Sequence, residues 1–230
     1  MLLAVFVTFM VIAGTALAVL LLNYWRLRLA EDVHAVRVTT AQAARMLQTG
    51  DIVAFSSQRP GIVPRVIALV THSPYLHLGI VVGANMLHYT DPAHEGFYLP
   101  RRLCPHQSVG PNLSDMRGLL ERFAASGALI TIMRHKRSPT HEELVEAAHS
   151  FCGIPYDAFH TESFVRYRLD PRGVPTRLQC NTFVGALLER LGVLTQSPHP
   201  VTDYKPGRIL HMLALAGYDH AATLLLTPLP

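Results

Sequence analysis

This chain of 230 residues has little charge: 16% of its residues are Asp, Glu, Lys or Arg, while 50% are hydrophobic. That balance is low for a soluble domain, and part of the apolar excess lies in the first 22 residues. The chain is long enough for one ordinary domain with extras and for a sizeable core. Its net charge is +4 and its pI about 9.1, yet it has no run of Lys and Arg and no basic–aromatic interleaving. Nucleic-acid binding is therefore not expected. The basic balance allows mild attraction to anionic membrane surfaces. Thirteen histidines add groups that titrate near neutral pH.

Cysteine is scarce. An odd set of three, Cys104, Cys152 and Cys180, is not a disulfide framework and leaves at least one free thiol in a monomer. It suits a reducing compartment. Metal signatures are also missing. His141-Glu142-Glu143-Leu144-Val145 starts like a zinc-protease helix but lacks the second histidine four residues on. There is no Cys-x-x-Cys, and Cys104-Pro105-His106 has no second ligand pair. No phosphate-binding glycine loop and no Gly-x-Ser-x-Gly elbow occurs.

What is present begins at the N-terminus. Met1 to Leu22 has no charged side chain, the length expected of a transmembrane helix, and Asn23-Tyr24-Trp25-Arg26-Leu27-Arg28 follows like an interfacial belt. A cleaved signal peptide with Ala16-Leu17-Ala18 as its site competes. No cation precedes the apolar run, however, and the run continues past that site. The expectation is a single-pass membrane anchor over residues 1–29 with its juxtamembrane segment. The two arginines after the span place the catalytic domain in the cytoplasm.

Residues 30–47 read as a linker and a short helix from Ala41 to about Gln48, capped by Thr40. Asp51–Phe55, Tyr75–Val82 and Met86–Thr90 read as strands, the last two as a hairpin about Gly83-Ala84-Asn85. Pro64 suits the first turn of a helix to about Val70. Residues 91–111 read as a loop with one edge strand. Ser114 is the expected cap of a helix to about Ala125, and Ala128–Met133 reads as a strand. Thr140 caps Glu142–Phe151, which Gly153 and Pro155 end. Residues 157–178 are irregular. Asn181–Leu191 and Ile209–Ala216 read as helices.

A nucleophilic thiol needs a lowered pKa, a base and access. Cys152 falls at a helix C-terminus, where the dipole opposes a thiolate, and Cys104 falls in a loop. Cys180 opens a helix, where free N–H groups favour a thiolate and can hold an oxyanion. His77 starts an apolar strand and His88 lies eleven residues on. In a hairpin the two share one face, suiting a base and the group that orients it. Taken singly, each is more often a structural residue.

Four stretches in this order have a family resemblance: Gly50-Asp51-Ile52-Val53, Thr71-His72-Ser73-Pro74-Tyr75-Leu76-His77-Leu78-Gly79-Ile80-Val81, Gly153-Ile154-Pro155-Tyr156-Asp157 and Gln179-Cys180-Asn181-Thr182-Phe183-Val184. They resemble the permuted papain-like cysteine hydrolases of the NlpC/P60 superfamily, the YiiX/YaeF-like proteins most and the lecithin:retinol acyltransferase-like enzymes more distantly. The likeness covers about residues 48–195. It implies an α+β permuted papain-like domain over residues 48–200, with a small antiparallel sheet packed with helices, followed by a C-terminal helix and tail over 201–230. It also implies Cys180 as nucleophile, His77 as general base and His88 as the orienting third residue. Many YiiX-like members have a glutamate there, and many relatives have Ser or Glu after the cysteine where this chain has Asn181. Tyr75 and Tyr156 are the expected pocket residues.

The expected reaction is cleavage of a peptide or N-acyl amide through a thioester acyl-enzyme, with no metal or organic cofactor. A lipid-directed phospholipase or acyltransferase on the same fold is the alternative, and a catalytically inactive membrane binding or structural protein is another. The expected partners are an amide- or ester-containing substrate, lipid or lipidated in the alternative reading, and the membrane.

Overall fold

The computed structural model describes residues 2–32, 35–56, 73–90, 101–104, 109–157, 175–195 and 205–227. The expected helix from Pro64 to Val70 lies outside the described residues.

Six helices and eight strands are described. In chain order they are α1 (Leu2–Asp32), β1 (Val36–Thr39), α2 (Thr40–Met46), β2 (Ile52–Ser56), β3 (Tyr75–Val82), β4 (Asn85–His88), β5 (Arg101–Arg102), β6 (Asn112–Asp115), α3 (Met116–Ala125), β7 (Leu129–His135), α4 (His141–His149), α5 (Cys180–Arg190), α6 (Pro206–Leu215) and β8 (Tyr218–Thr227). The strands form one sheet in the order β1-β8-β7-β2-β3-β4-β6-β5. β1 and β8 pair in parallel and the other neighbours are antiparallel. The small antiparallel sheet expected from the sequence is thus corrected to a mixed sheet of eight strands. The parallel pair joins Val36 to Leu224, and so the two ends of the domain, through backbone hydrogen bonds that leave no local sequence signal.

The membrane-spanning helix is a second correction. Among the described residues, no helix is long and apolar enough to cross a membrane. The membrane partner, the single-pass location and the cytoplasmic orientation all rested on that span and fall with it.

The pleat explains the layering. Alternate residues of a strand face opposite sides, and β2 is buried on both. Ile52 and Ala54 join one core with Leu78, Ile80, Leu144, Phe183, Leu187 and Ile209, under α4, α5 and α6. Val53 and Phe55 join the other with Val81, Met86, Leu119, Leu120 and Phe123, under α2 and α3. A strand buried on both faces reads as a continuous apolar run, which Ile52-Val53-Ala54-Phe55 is.

Helix starts follow capping chemistry. Thr140 accepts from Glu143 N–H while Glu143 reaches back to the Thr140 N–H, a capping box that opens α4. In α2 the cap is Thr39, one residue before the expected Thr40, because Gln42 closes the box with Thr39. In α3 the cap is Asp115, whose Oδ2 accepts from Gly118 N–H at 2.7 Å. Ser114 is thereby left to β6, with a consequence described below.

One buried ion pair fastens the sheet to α2. Asp51 is fully buried and takes two bonds from Arg134, Nε to Oδ1 at 2.8 Å and Nη2 to Oδ2 at 2.7 Å, with a third from Gln48 N–H at 2.8 Å. Arg134 also donates to the Met46 carbonyl at 2.6 Å. The hydrogen bond to Asp51 raises the Arg134 pKa further above its ordinary value.

Candidate active site

β3 carries His77, and the neighbouring β4 carries His88. The C-terminal half of β3 pairs with β4, from Ile80 opposite Leu87 to Val82 opposite Asn85. Its N-terminal half, from Tyr75 to Leu78, pairs with β2 on the other side. The register shifts between Phe55 and Ser56, so that His77 stands opposite Phe55 while Tyr75 stands opposite Ser56. The N-terminus of α5 packs against β3.

Cys180 is the first residue of α5 and is buried, at 5% exposure. Its thiol donates toward the Leu76 carbonyl at 3.9 Å. Burial pushes the thiol pKa up, while backbone N–H groups of Leu78, Asn181 and Cys180 itself pull it down by less. The sulfur therefore lies against β3 on both sides of His77, between the carbonyl before it and the N–H after it. Gln179 caps the helix: its N–H donates to Thr182 Oγ1 at 2.7 Å and its side-chain amide donates to the Asp157 carbonyl at 3.1 Å. These bonds fix the backbone beside Cys180.

His77 is buried at 4% exposure, with Phe55 and Phe123 about its ring at centroid distances of 6.2 and 6.5 Å. Its Nε2 is 2.8 Å from Nδ1 of His88, and the rings meet edge to face. His88 is fully buried and its Nε2 is 2.8 Å from Ser114 Oγ. Gly79 lies beside His88 in this part of the sheet, and its missing side chain matters. A Cβ there would sit 2.6 Å from Met86 Cγ and Sδ, so glycine leaves room for Met86 to cross the strand next to the histidines.

The three bonded groups form a chain with a direction. A neutral imidazole donates through one nitrogen and accepts through the other. If His88 donates from Nε2 to Ser114, its Nδ1 accepts from His77 Nε2–H, and Nδ1 of His77 then carries a lone pair. In that polarity His77 is a base on the nitrogen away from His88. Ser114 was hidden in the sequence by its neighbour: Ser114 and Asp115 are both cap formers, and the serine reads equally well as the cap. The signal that separates them is the alternation of Asn112, Ser114 and Met86 across β4 and β6.

Burial sets the protonation states. It pushes His77 down to about 3 and His88 well below the ordinary histidine range, where a proton on His77 would add further repulsion. With the thiol pushed up, the site rests neutral: a thiol, two neutral imidazoles and a hydroxyl.

The two expected pocket residues, Tyr75 and Tyr156, are both among the described residues. Tyr75 is buried, and its hydroxyl is 2.7 Å from Thr131 Oγ1, which is 3.1 Å from Thr223 Oγ1. Tyr156 is partly buried against the core under α4 to α6 and stacks near Tyr89 at 6.4 Å. Its backbone bridges Leu178, two residues before the thiol. The open groove between α4 and α5, lined by Glu143, Glu146, Arg190 and Leu191 among others, is at the far end of α5 from Cys180, about 15 Å along the helix.

No family model and no curated protein matches this chain. Among solved structures, the chain is similar to the metalloprotein yiiX of Escherichia coli O157:H7, with a TM-score of 0.41 and 18% identity over 78% of this chain and 89% of that one. A likeness at that level carries no argument about activity. The YiiX name appears among the neighbours, but no family model supports the NlpC/P60 superfamily or a thiol-protease class for this chain.

Proposed function

We propose that Cys180 and His77 form the centre of a cysteine hydrolase that cleaves an amide bond through a thioester acyl-enzyme. One observation carries the reading. The Cys180 sulfur, at the start of α5, contacts backbone on either side of His77, and that histidine is tied to His88 through its Nε2.

The chemistry follows from the neutral resting site. In the proposed reaction the thiol proton passes to His77 Nδ1 as the sulfur attacks the carbonyl carbon. The imidazole lies on the Phe55–Phe123 face of the sheet and α5 on the other, so the transfer requires the ring to reach past the β3 backbone. The carbonyl electron pair moves to oxygen, where the Cys180 N–H at the helix N-terminus stabilises it. Collapse expels the amine, which takes the proton from His77. Water, deprotonated by His77, then attacks the thioester and releases the acid and the thiol. His88 holds the His77 ring in place, and the Ser114 acceptor selects the tautomer with a basic Nδ1.

The test is a mass-spectrometric search for acyl adducts after mixing with short N-acyl amides and activated esters. An adduct on the Cys180 peptide, absent in Cys180→Ala, is expected. Failure to acylate Cys180 with any of them contradicts the reading.

Ser114 gives a finer test. Ser114→Ala removes the hydroxyl that meets His88 Nε2, a loss of about 1–3 kcal/mol. Expressed wholly in the transition state, that lowers the acylation rate about 10- to 100-fold. Ser114→Thr keeps the hydroxyl and is expected to retain most of the rate. Equal rates in Ser114→Ala and the native chain would remove Ser114 from the relay.

A further inference from the structure

A second group of reactive side chains lies away from Cys180, where the loop after β5 meets the end of α4. Cys104 and Cys152 form a disulfide there, with Cα atoms 5.9 Å apart. His149 is on the last turn of α4, three residues before Cys152, and its Nδ1 is 3.8 Å from the Cys152 sulfur. One ligand atom from each of Cys104, His149 and Cys152 lies within 4.8 Å of the others. The backbone is held on both sides: Cys152 N–H donates to the His149 carbonyl, Gly153 N–H to the Val109 carbonyl and Leu103 N–H to the Pro111 carbonyl. Gly110, at a φ of +151°, leaves space beside the sulfurs. A Cβ there would be 3.3 Å from Cys104 Sγ and 3.5 Å from Cys152 Cα.

We propose that the reduced forms of Cys104 and Cys152, with His149, make a binding site for a soft divalent cation such as Zn²⁺, which the disulfide closes. Two thiolates and an imidazole are the donors that zinc prefers, and a water completes the tetrahedron. The Cα separation suits both states, since a disulfide spans about 4.4–6.8 Å and two thiolates on one cation need their sulfurs to part by only a small side-chain rotation. The steps balance. A dithiol reductant gives two electrons and two protons to the disulfide and is itself oxidised to a disulfide. The cation then displaces one proton from each thiol. Exchange with a small-molecule disulfide, which takes up the two electrons and two protons from solvent and leaves as thiols, returns the Cys104–Cys152 disulfide and releases the cation. Cys104 is buried while His149 is exposed, so the cation enters from the His149 side. The site is independent of the Cys180–His77 chemistry and would stand or fall separately.

Cobalt(II) titration tests it, using the full untagged chain as Cys180→Ser, so that Cys104 and Cys152 are the only thiols, reduced under anaerobic conditions. One equivalent of cobalt is expected to give the near-ultraviolet thiolate-to-metal band and the intense visible bands of a tetrahedral site. The oxidised chain is expected to give neither, and His149→Ala to lose stoichiometric binding and the tetrahedral visible bands while far-ultraviolet circular dichroism stays native. Absence of the thiolate band in the reduced, folded chain overturns the proposal. So do equal bands in the oxidised chain, unchanged bands in His149→Ala, or unfolding on reduction alone.

Discussion

Lowering the pH from 8 to 5 is expected to destabilise this fold, by about 2 kcal/mol through His77 and by a further loss of the same sign through His88. Both are fully buried imidazoles whose pKa burial lowers, His77 to about 3 and His88 in the same direction. Above about pH 6.5 they are neutral in the folded and unfolded chain alike, and their contribution does not change. Below that, the unfolded chain binds protons that the folded chain does not. The unfolded state is then favoured by about 1.4 kcal/mol per pH unit for each histidine, until the folded groups titrate. The window down to pH 5 lies above the range of most carboxylates, so the loss there belongs to histidine. Urea unfolding at pH 8, 7, 6 and 5 measures it. His77→Gln and His88→Gln, which cannot titrate, are each expected to reduce the slope. A flat profile in the native chain, or the same slope in both variants, would mean that these imidazoles are solvated.

The second large effect is at the Asp51–Arg134 pair, and it is asymmetric. Arg134→Leu strands a fully buried carboxylate whose other bond among the described residues is from Gln48 N–H. It is expected to cost about 3–5 kcal/mol, as breaking a buried pair from one side does. Asp51→Leu removes the carboxylate instead. The side chain of Arg134 is 32% exposed and can turn to water, so the expected loss is smaller, about 2 kcal/mol. Denaturant midpoints of the two variants give the comparison. A larger loss for Asp51→Leu would show that the cap on Gln48, not the ion pair, is what matters. The pair also ties α2 to β2 and β7, so its loss is expected to loosen the face that carries Phe55 and, through it, the packing about His77.

How much was visible in the residues depended on how local each feature is. β2, β3 and β4 could be read because apolar runs and the Gly83 turn specify them within about thirty residues. The closeness of His77 and His88 could be anticipated from the same hairpin. β1 and β8 could not. The first half of β8, Tyr218-Asp219-His220-Ala221, is polar and exposed after the tyrosine, and its partners β7 and β1 are remote in sequence. Ser114 was concealed by the equally good cap beside it. The pairing of Cys104 with Cys152 spans 48 residues, and an odd cysteine count argues against a framework without excluding one bridge. The remaining thiol among the described residues is Cys180. The long apolar N-terminal run pointed to a membrane span that no described helix supplies.

The central claim is that His77 activates Cys180, and acylation by p-nitrophenyl acetate tests it most directly. The rate of p-nitrophenol release would be followed in the native chain and in His77→Ala, with the acetyl group mapped by mass spectrometry. Cys104 and Cys152, held in their disulfide, do not compete. The account predicts an acetyl group on Cys180 and a rate lower by about 10²- to 10⁴-fold in His77→Ala at pH 7, the span of general-base catalysis. Acetylation of Cys180 at the same rate without the imidazole, or no acetylation of Cys180 in the native chain, would contradict it.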